Sequence, residues 1–374
     1  MVLREVRGRI DSRVTTSGRC RLAALLLVVL PVALISQSVR GRVLDAARRP
    51  LLGALVELRD PGGHSLKIIL TTPSGGFQFD VPAPGRYLYR VAAIGYQPQP
   101  SGPIDVPADG IVLPDIVLRA MIMRLPDLVA LGRGRFCGKS GLADEMFERL
   151  LESAHTSLQV METAVNDKAI GFQVGIINTK TVFGGFNNFA VADTVVQKLS
   201  AWPVLSIDPD TLKAVGFGRT REPGNEATRE YYGPDARVLF ANWFLDSHCF
   251  TLDKPVNKKV APDSLHLRFA PARKSKLVDV AGELVLDAHN LALLQFSFAL
   301  RNLPNWMPDE GAGGYMEFAP LKSGLWMTRS WAIWAPLAGI GSERRLSVAG
   351  QVETYGFVTK VYTGRDSTVI TWPK

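Results

Sequence analysis

Between Val39 and Leu118 apolar and polar positions alternate with a period of two, broken at short intervals by turn residues. Val39, Gly41 and Val43 alternate with Arg40 and Arg42. Ala54, Val56 and Leu58 alternate with Glu57 and Arg59, and Phe77, Phe79 and Val81 with Gln78 and Asp80. Tyr87, Tyr89, Val91 and Ala93 face away from Arg86 and Arg90, and Ile116 and Leu118 close the set. The connections "ARRP", "DPGG", "PSGG" and "PAPG" supply residues that preset φ or tolerate positive φ. The pattern predicts an all-β sandwich.

From residue 140 the period changes to three and four. Leu142, Met146, Leu150, Leu151, Ala154, Leu158, Met161 and Val165 form one stripe, with Ser140 as N-cap and Asp144 and Glu145 at the positive end. This predicts an amphipathic helix of roughly 25 residues that packs on a sheet; its acidic polar face does not suit a membrane surface. Beyond Ala169 strands are predicted at Gly171–Ile177, Leu265–Phe269, Val280–Leu286, Leu293–Ala299, Gly314–Phe318, Leu325–Ala335, Leu346–Val352 and Phe357–Tyr362. A short helix is predicted at Asp235–Leu245. The expected architecture is mostly β, with one long helix across an antiparallel meander or half-barrel.

The N-terminus changes the setting. A basic stretch precedes the apolar run Leu22–Ile35, "LAALLLVVLPVALI", and "SQS" follows. The run is shorter than the roughly 18 residues a spanning helix needs and contains Pro31, so residues 1–38 read as a signal peptide. Its retention as an uncleaved anchor is the alternative. Cys20 precedes the run and is not placed to carry a lipid. No later run is long enough to span, so no transmembrane span is expected in the mature chain. The net charge of +8 owes half its value to the six arginines before Gln37 set against Glu5 and Asp11. No later stretch interleaves basic and aromatic residues as a nucleic-acid groove would. Cys137 and Cys249 remain after export; an oxidising compartment favours a disulfide between them, and two buried thiols are the alternative.

The segments "VRGRVLDAARRPLLGALVELRD" and "TTPSGGFQFDVPAPGRYLYRVAAIGYQP" resemble the carboxypeptidase regulatory-like domain. The match runs through Gly41, Val43, Asp45, Pro50, Gly53, Ala54, Val56, Gly76, Phe77, Gly85, Tyr87, Gly95 and Tyr96. The resemblance implies a seven-stranded, transthyretin-like sandwich without catalytic residues of its own, of a kind found beside metallocarboxypeptidases, on TonB-dependent receptors and in envelope proteins. A zinc peptidase needs two His and a Glu at fixed spacing. His64, His155, His248, His266 and His289 show no such spacing. "VDVAGELVLDAHNLALLQFSFALRNLP" and "GGYMEFAPLKSGLWMTRSWAIWAP" are similar to the repeats of lipoprotein-sorting-like half-barrels. "RFCG" with "YYGPDARVLFANWFLDSHCF" resembles envelope proteins that carry a sandwich of the same kind, a resemblance that brings no activity with it.

The chain thus divides into a signal peptide (1–38), a sandwich (39–119), a linker (120–139) and a helix-plus-sheet domain (140–374). Tyr87 and Tyr96 are expected as core or corner residues, with stacking against a glycan as the alternative. Trp326, Trp331 and Trp334 share one strand, Trp326 and Trp334 on one face and Trp331 with Ile333 on the other. They are expected either in a doubly buried strand or around an apolar cavity. Asp208 and Asp210 read as a turn, Gly132, Gly134 and Gly138 do not form a dinucleotide fingerprint, and Gly-x-Ser-x-Gly is absent. No catalytic residue, metal or cofactor is expected. The expected function is that of a non-catalytic exported envelope protein, periplasmic or outer-membrane associated, with an envelope protein or apolar ligand as partner. Carbohydrate binding is the alternative, and an enzyme with an unrecognised site the third reading.

Overall fold

The computed structural model describes residues 37–100, 102–121, 135–137, 145–166, 170–184, 187–199, 206–221, 228–253, 263–307, 311–321, 324–340, 346–363 and 368–370. The expected signal peptide up to residue 36, Ser140 as helix cap and most of the expected linker lie outside them.

The alternating segment forms strands β1 (Gln37–Asp45), β2 (Leu55–Arg59), β3 (Ser65–Leu70), β4 (Gly76–Val81) and β5 (Gly85–Ala92). Shorter strands follow: β6 (Gln99–Pro100), β7 (Ile104–Val106), β8 (Ile111–Val112) and β9 (Ile116–Leu118). One sheet runs β4-β1-β8 with β9 also on β1; the other runs β3-β2-β5-β6 with β7 also on β5. The two sheets enclose Val39, Val43, Ala54, Val56, Leu58, Phe77, Phe79 and Val91, the residues that alternation marks as inward.

The second part holds β10 (Arg135–Cys137), α1 (Glu145–Asn166), β11 (Ile170–Gly184), β12 (Asn187–Leu199), α2 (Pro209–Val215), β13 (Gly218–Arg221), β14 (Thr228–Tyr231), α3 (Ala236–Leu239) and α4 (Asn242–Ser247). Then comes a meander of β15 (His248–Asp253), β16 (Ser264–Pro271), β17 (Asp279–Asp287), β18 (Leu293–Arg301), β19 (Gly313–Pro320), β20 (Trp326–Ile340) and β21 (Leu346–Thr363), with β22 (Thr368–Ile370) on β21. Earlier parts of the chain flank the meander, giving the order β10-β15-β16-β17-β18-β19-β20-β21-β11-β12 in an open antiparallel sheet. No helix among the described residues is long and apolar enough to cross a membrane.

Several elements differ from the sequence reading. The predicted helix at Asp235–Leu245 is two short ones, α3 starting where the Asp235 carboxylate accepts the Val238 N–H at 3.1 Å. Asp208 is a helix cap, accepting from the Asp210 and Thr211 N–H groups at the head of α2. β21 is continuous where two strands are predicted, because Gly356 is no turn: a Cβ there would lie 2.1 Å from the Trp331 indole. Part of the predicted linker is itself a strand, β10.

Helix α1 is the largest departure from a one-sided stripe. Phe147, Leu150, Leu151, Ala154, Leu158 and Met161 are buried, but so are Ser153, Thr156, Ser157 and Thr163. The helix is the middle layer of three. One side faces the large sheet, where Ser153 Oγ donates to the Leu291 carbonyl at 2.8 Å and Ser157 Oγ accepts the Leu293 N–H at 3.3 Å. The other side faces the sandwich, whose Leu55 belongs to the same core as Leu150, Leu158 and Phe296, with Ile68 and Leu70 packed against it. Small hydroxylated side chains allow this double approach, Ser153 and Ser157 finding backbone partners and Thr156 the Glu152 carboxylate.

Candidate functional site

The face of β2 that turns away from the sandwich core is covered by α1. Register places Leu70, Leu55 and Ala92 in one row and Ile68, Glu57 and Arg90 in the next. The alternation of Glu57, Arg59 and Arg90 therefore reports a seam, not solvent. Arg90 pairs with Glu152 of α1, Arg59 Nη2 lies 2.6 Å from Glu57 Oε2, and Thr156 Oγ1 donates to Glu152 at 3.3 Å. Beside them His155 stacks on Phe240 with ring centroids 4.4 Å apart.

Burial, and then the Arg90 charge, pull the His155 pKa from 6.5 down to about 4, against a smaller opposing pull from Glu57. The imidazole is neutral in the folded protein at neutral pH. Between pH 6.5 and 4 the unfolded chain takes up a proton that the folded chain refuses, so stability falls as pH falls through that window and levels off below it. The loss is about 2–3 kcal/mol, allowing for the part of the ring that water reaches. Urea midpoints at pH 7 and 4.5 check it: wild type should lose about 2 kcal/mol more than His155→Leu, and equal losses would remove His155 from the account.

The seam opens at one end into a cleft of about 430 Å³. Tyr96 and Leu52 of the sandwich, Val160 of α1 and Leu325 and Trp326 at the start of β20 line it. Gly53 brings the two parts together: its φ of +73° favours glycine, and a Cβ there would lie 2.7 Å from Leu325 Cδ1. Trp326 Nε1 donates to the Leu293 carbonyl at 2.9 Å, so the ring turns its apolar surface to the cleft with its polar atom already satisfied. Burial raises the Tyr96 phenol above its ordinary range, helped by the Asp45 charge.

The other aromatic candidates separate. Tyr87 is in the sandwich core, 7% exposed, its hydroxyl donating to the Ala83 carbonyl at 2.8 Å. Trp331, 3% exposed, packs in the core between sheet and helix. The predicted facing of the three tryptophans is corrected: the β19–β20 register shifts between Glu317 and Phe318, leaving Arg329 as an extra residue. That bulge puts Trp326 on the same face as Trp331 and Ile333, and Trp334 alone on the other. Trp334 borders a cleft of about 690 Å³ on the outer face, together with Arg268, Glu283 and Arg301.

Cys137 and Cys249 are bonded, directly opposite one another in β10 and β15. The bond fixes β10 to the edge of the sheet, where Phe136 stacks on Phe147 at the start of α1 with centroids 4.3 Å apart. Among the described residues no three His, Cys, Asp or Glu side chains are grouped closely enough to hold a metal ion.

Two sheets with these strands, joined through the Gly53 turn, fit one family model. Residues 38–119 match the carboxypeptidase regulatory-like domain. The regulatory-like domain here is the part whose outer face lies on α1, so the matched residues include Leu55, Glu57 and Arg90 of the seam. Comparison with curated proteins gives no match. Among solved structures, a cohesin–X-dockerin complex from Acetivibrio cellulolyticus is 19% identical over 25% of this chain and 71% of its own, with a TM-score of 0.21. A 3-chlorocatechol 1,2-dioxygenase from Rhodococcus opacus is 15% identical over 23% of this chain and 59% of its own, with a TM-score of 0.18. The TIE protein of Bacillus anthracis is 9% identical over 90% of this chain and 46% of its own, with a TM-score of 0.21. At such TM-scores these likenesses say nothing about what the chain binds.

Proposed function

We propose that the protein is a non-catalytic, exported component of the cell envelope, periplasmic or outer-membrane associated, in which sandwich, helix and sheet act as one rigid binding scaffold. The observation that carries the reading is the meeting of Tyr96 and Trp326. Two aromatic residues 230 positions apart line one cleft at the seam, beside apolar Leu52, Val160 and Leu325 and the polar Asn290. Both belong to elements held by a buried interface, which keeps the cleft preformed and lowers the ordering cost of binding. The occupant this suits is the apolar side chain of an envelope partner or an apolar ligand. A photo-crosslinking residue at Tyr96 in the full chain, expressed in cells with its N-terminal segment, tests this. Adducts at Tyr96 that are absent when the residue replaces exposed Lys67 support the reading; equal labelling at both sites defeats it. Recovery of the uncut chain from the cytosol would defeat the export half.

One observation favours the carbohydrate alternative: Trp334 stands beside Arg268, Glu283 and Arg301, an aromatic face bordered by hydrogen-bonding groups. A glycan array comparing wild type with Trp334→Ala separates it from the seam reading, which expects no glycan signal.

A further inference from the structure

A second cleft, of about 950 Å³, lies on the far side of the disulfide, between α2, α4 and the β16–β17 connection. Its apolar wall comes from Leu212, Phe217, Trp243, Leu277 and Val278. Its rim is basic. Lys213 stands in the last turn of α2 and Arg273 and Lys274 on the connection, all three lining the cleft, and Lys276 follows two residues later outside the lining. All four are exposed. No hydrogen bond or ion pair joins any of them to another described residue.

The connection is not a loose loop on which charges can drift apart. The Ala272 N–H donates to the Ser247 carbonyl at 2.8 Å and the Phe217 N–H to the Val278 carbonyl at 2.8 Å. The Leu277 N–H donates to Ser275 Oγ at 3.0 Å, and Asn302 Nδ2 to the Leu277 carbonyl at 3.1 Å. Gly216, with φ +77°, ends α2 so close beneath it that a Cβ would lie 2.7 Å from the Val278 carbonyl oxygen. Holding like charges on one fixed rim raises their mutual repulsion, which a bound anion would relieve.

Two carboxylates also border the cleft, Asp246 and Asp279. Asp279 is engaged elsewhere, its Oδ1 3.2 Å from His248 Nε2 and accepting the Val280 N–H at 2.8 Å. Lys213, Arg273 and Lys274 therefore outweigh the acids at the rim, three cations against Asp246 and the engaged Asp279. Two features of the wall match the same ligand. Leu277 is 43% exposed, an apolar surface next to the charges, and the Trp243 Nε1–H is buried without an acceptor. A head group of acceptor oxygens answers the cations, and a hydrocarbon tail answers the wall.

We propose that this cleft binds a single-chain anionic amphiphile: an acyl or alkyl tail along Trp243 and Leu277, and a phosphate or carboxylate head against Arg273, Lys274 and Lys213. It shares no residue with the Tyr96–Trp326 cleft, so the two sites stand or fall separately.

Isothermal titration of the full chain with dodecyl phosphate below its micelle concentration tests it, with laurate, dodecyl maltoside and inorganic phosphate as companions. Dodecyl phosphate and laurate should bind in the micromolar range, more weakly as salt rises. Dodecyl maltoside should bind at least tenfold more weakly. Arg273→Glu with Lys274→Glu should weaken dodecyl phosphate at least tenfold, and Trp326→Ala should leave it unchanged. The charge-reversed residues are exposed, and an unchanged thermal midpoint would show the variant folded. Absence of dodecyl phosphate binding overturns the proposal. So does equal binding of the maltoside, which would mean an apolar groove without head-group choice, or of inorganic phosphate, which would mean an ion site without a tail. Unchanged affinity after charge reversal overturns it as well.

Discussion

Serine at both Cys137 and Cys249 should lower the stability of the full chain by about 4–5 kcal/mol, the loop-entropy cost of releasing a crosslink between residues 112 apart. The structure gives a reason for the effect to reach beyond the edge strand. β10 carries Phe136, and Phe136 stacks on Phe147, which is 1% exposed at the head of α1. Freeing β10 thus loosens the start of the helix that both sheets use. Guanidinium unfolding of wild type, of wild type under reductant and of the double variant checks this. The last two should share a midpoint well below the first. A shift under 1 kcal/mol would show that the three register pairs of β10 with β15 hold it without the bond.

The second large effect is expected at Leu55. It is fully buried, but it belongs to the core that holds Leu150 and Leu158 of α1, while Val56 and Leu58 on the same strand fill the sandwich. Leu55→Asp places an unpaired carboxylate in the seam, beside Glu57 and Glu152. The loss of an apolar contact combines with the burial of a charge, a cost of several kcal/mol. Because the sandwich core is untouched, the sandwich should remain folded while its grip on α1 is lost. Limited proteolysis should then release the sandwich as a separate fragment, with β1 and β4 still protected. Global unfolding of the variant would mean that the sandwich cannot stand without the helix. A fragmentation pattern like that of wild type would mean that the seam contributes little.

The pattern of residues made the sandwich legible because its inward positions are large and its turns carry Gly and Pro. The seam was not legible, for a physical reason. Arg59 pairs with Glu57 and Arg90 with Glu152, so a covered face keeps the polar residues that normally mark an exposed one. Ser153, Thr156, Ser157 and Thr163 conceal the second buried side of α1 in the same way. The tryptophan facing failed at a single residue: a period of two holds only while the register does, and Arg329 breaks it. The gap predicted between Val352 and Phe357 is filled by one continuous strand in which Gly356 makes room for Trp331. Of the aromatic candidates, sequence supplied the right residue types, and only the fold could pair Tyr96 with Trp326 while sending Tyr87 and Trp331 into cores. Strand β12, with Phe189, Val191, Val195 and Leu199 at positions of period two, lies outside the strands the sequence pattern predicts.

Every tryptophan of the chain lies outside residues 38–119, so fluorescence follows the helix-and-sheet part alone. Amide hydrogen exchange in β1 and β4 follows the sandwich alone. Measured together across a denaturant series, the two should give one midpoint, because the buried seam ties both parts into a single unfolding event. Sandwich amides that stay protected after the tryptophans are exposed would contradict it.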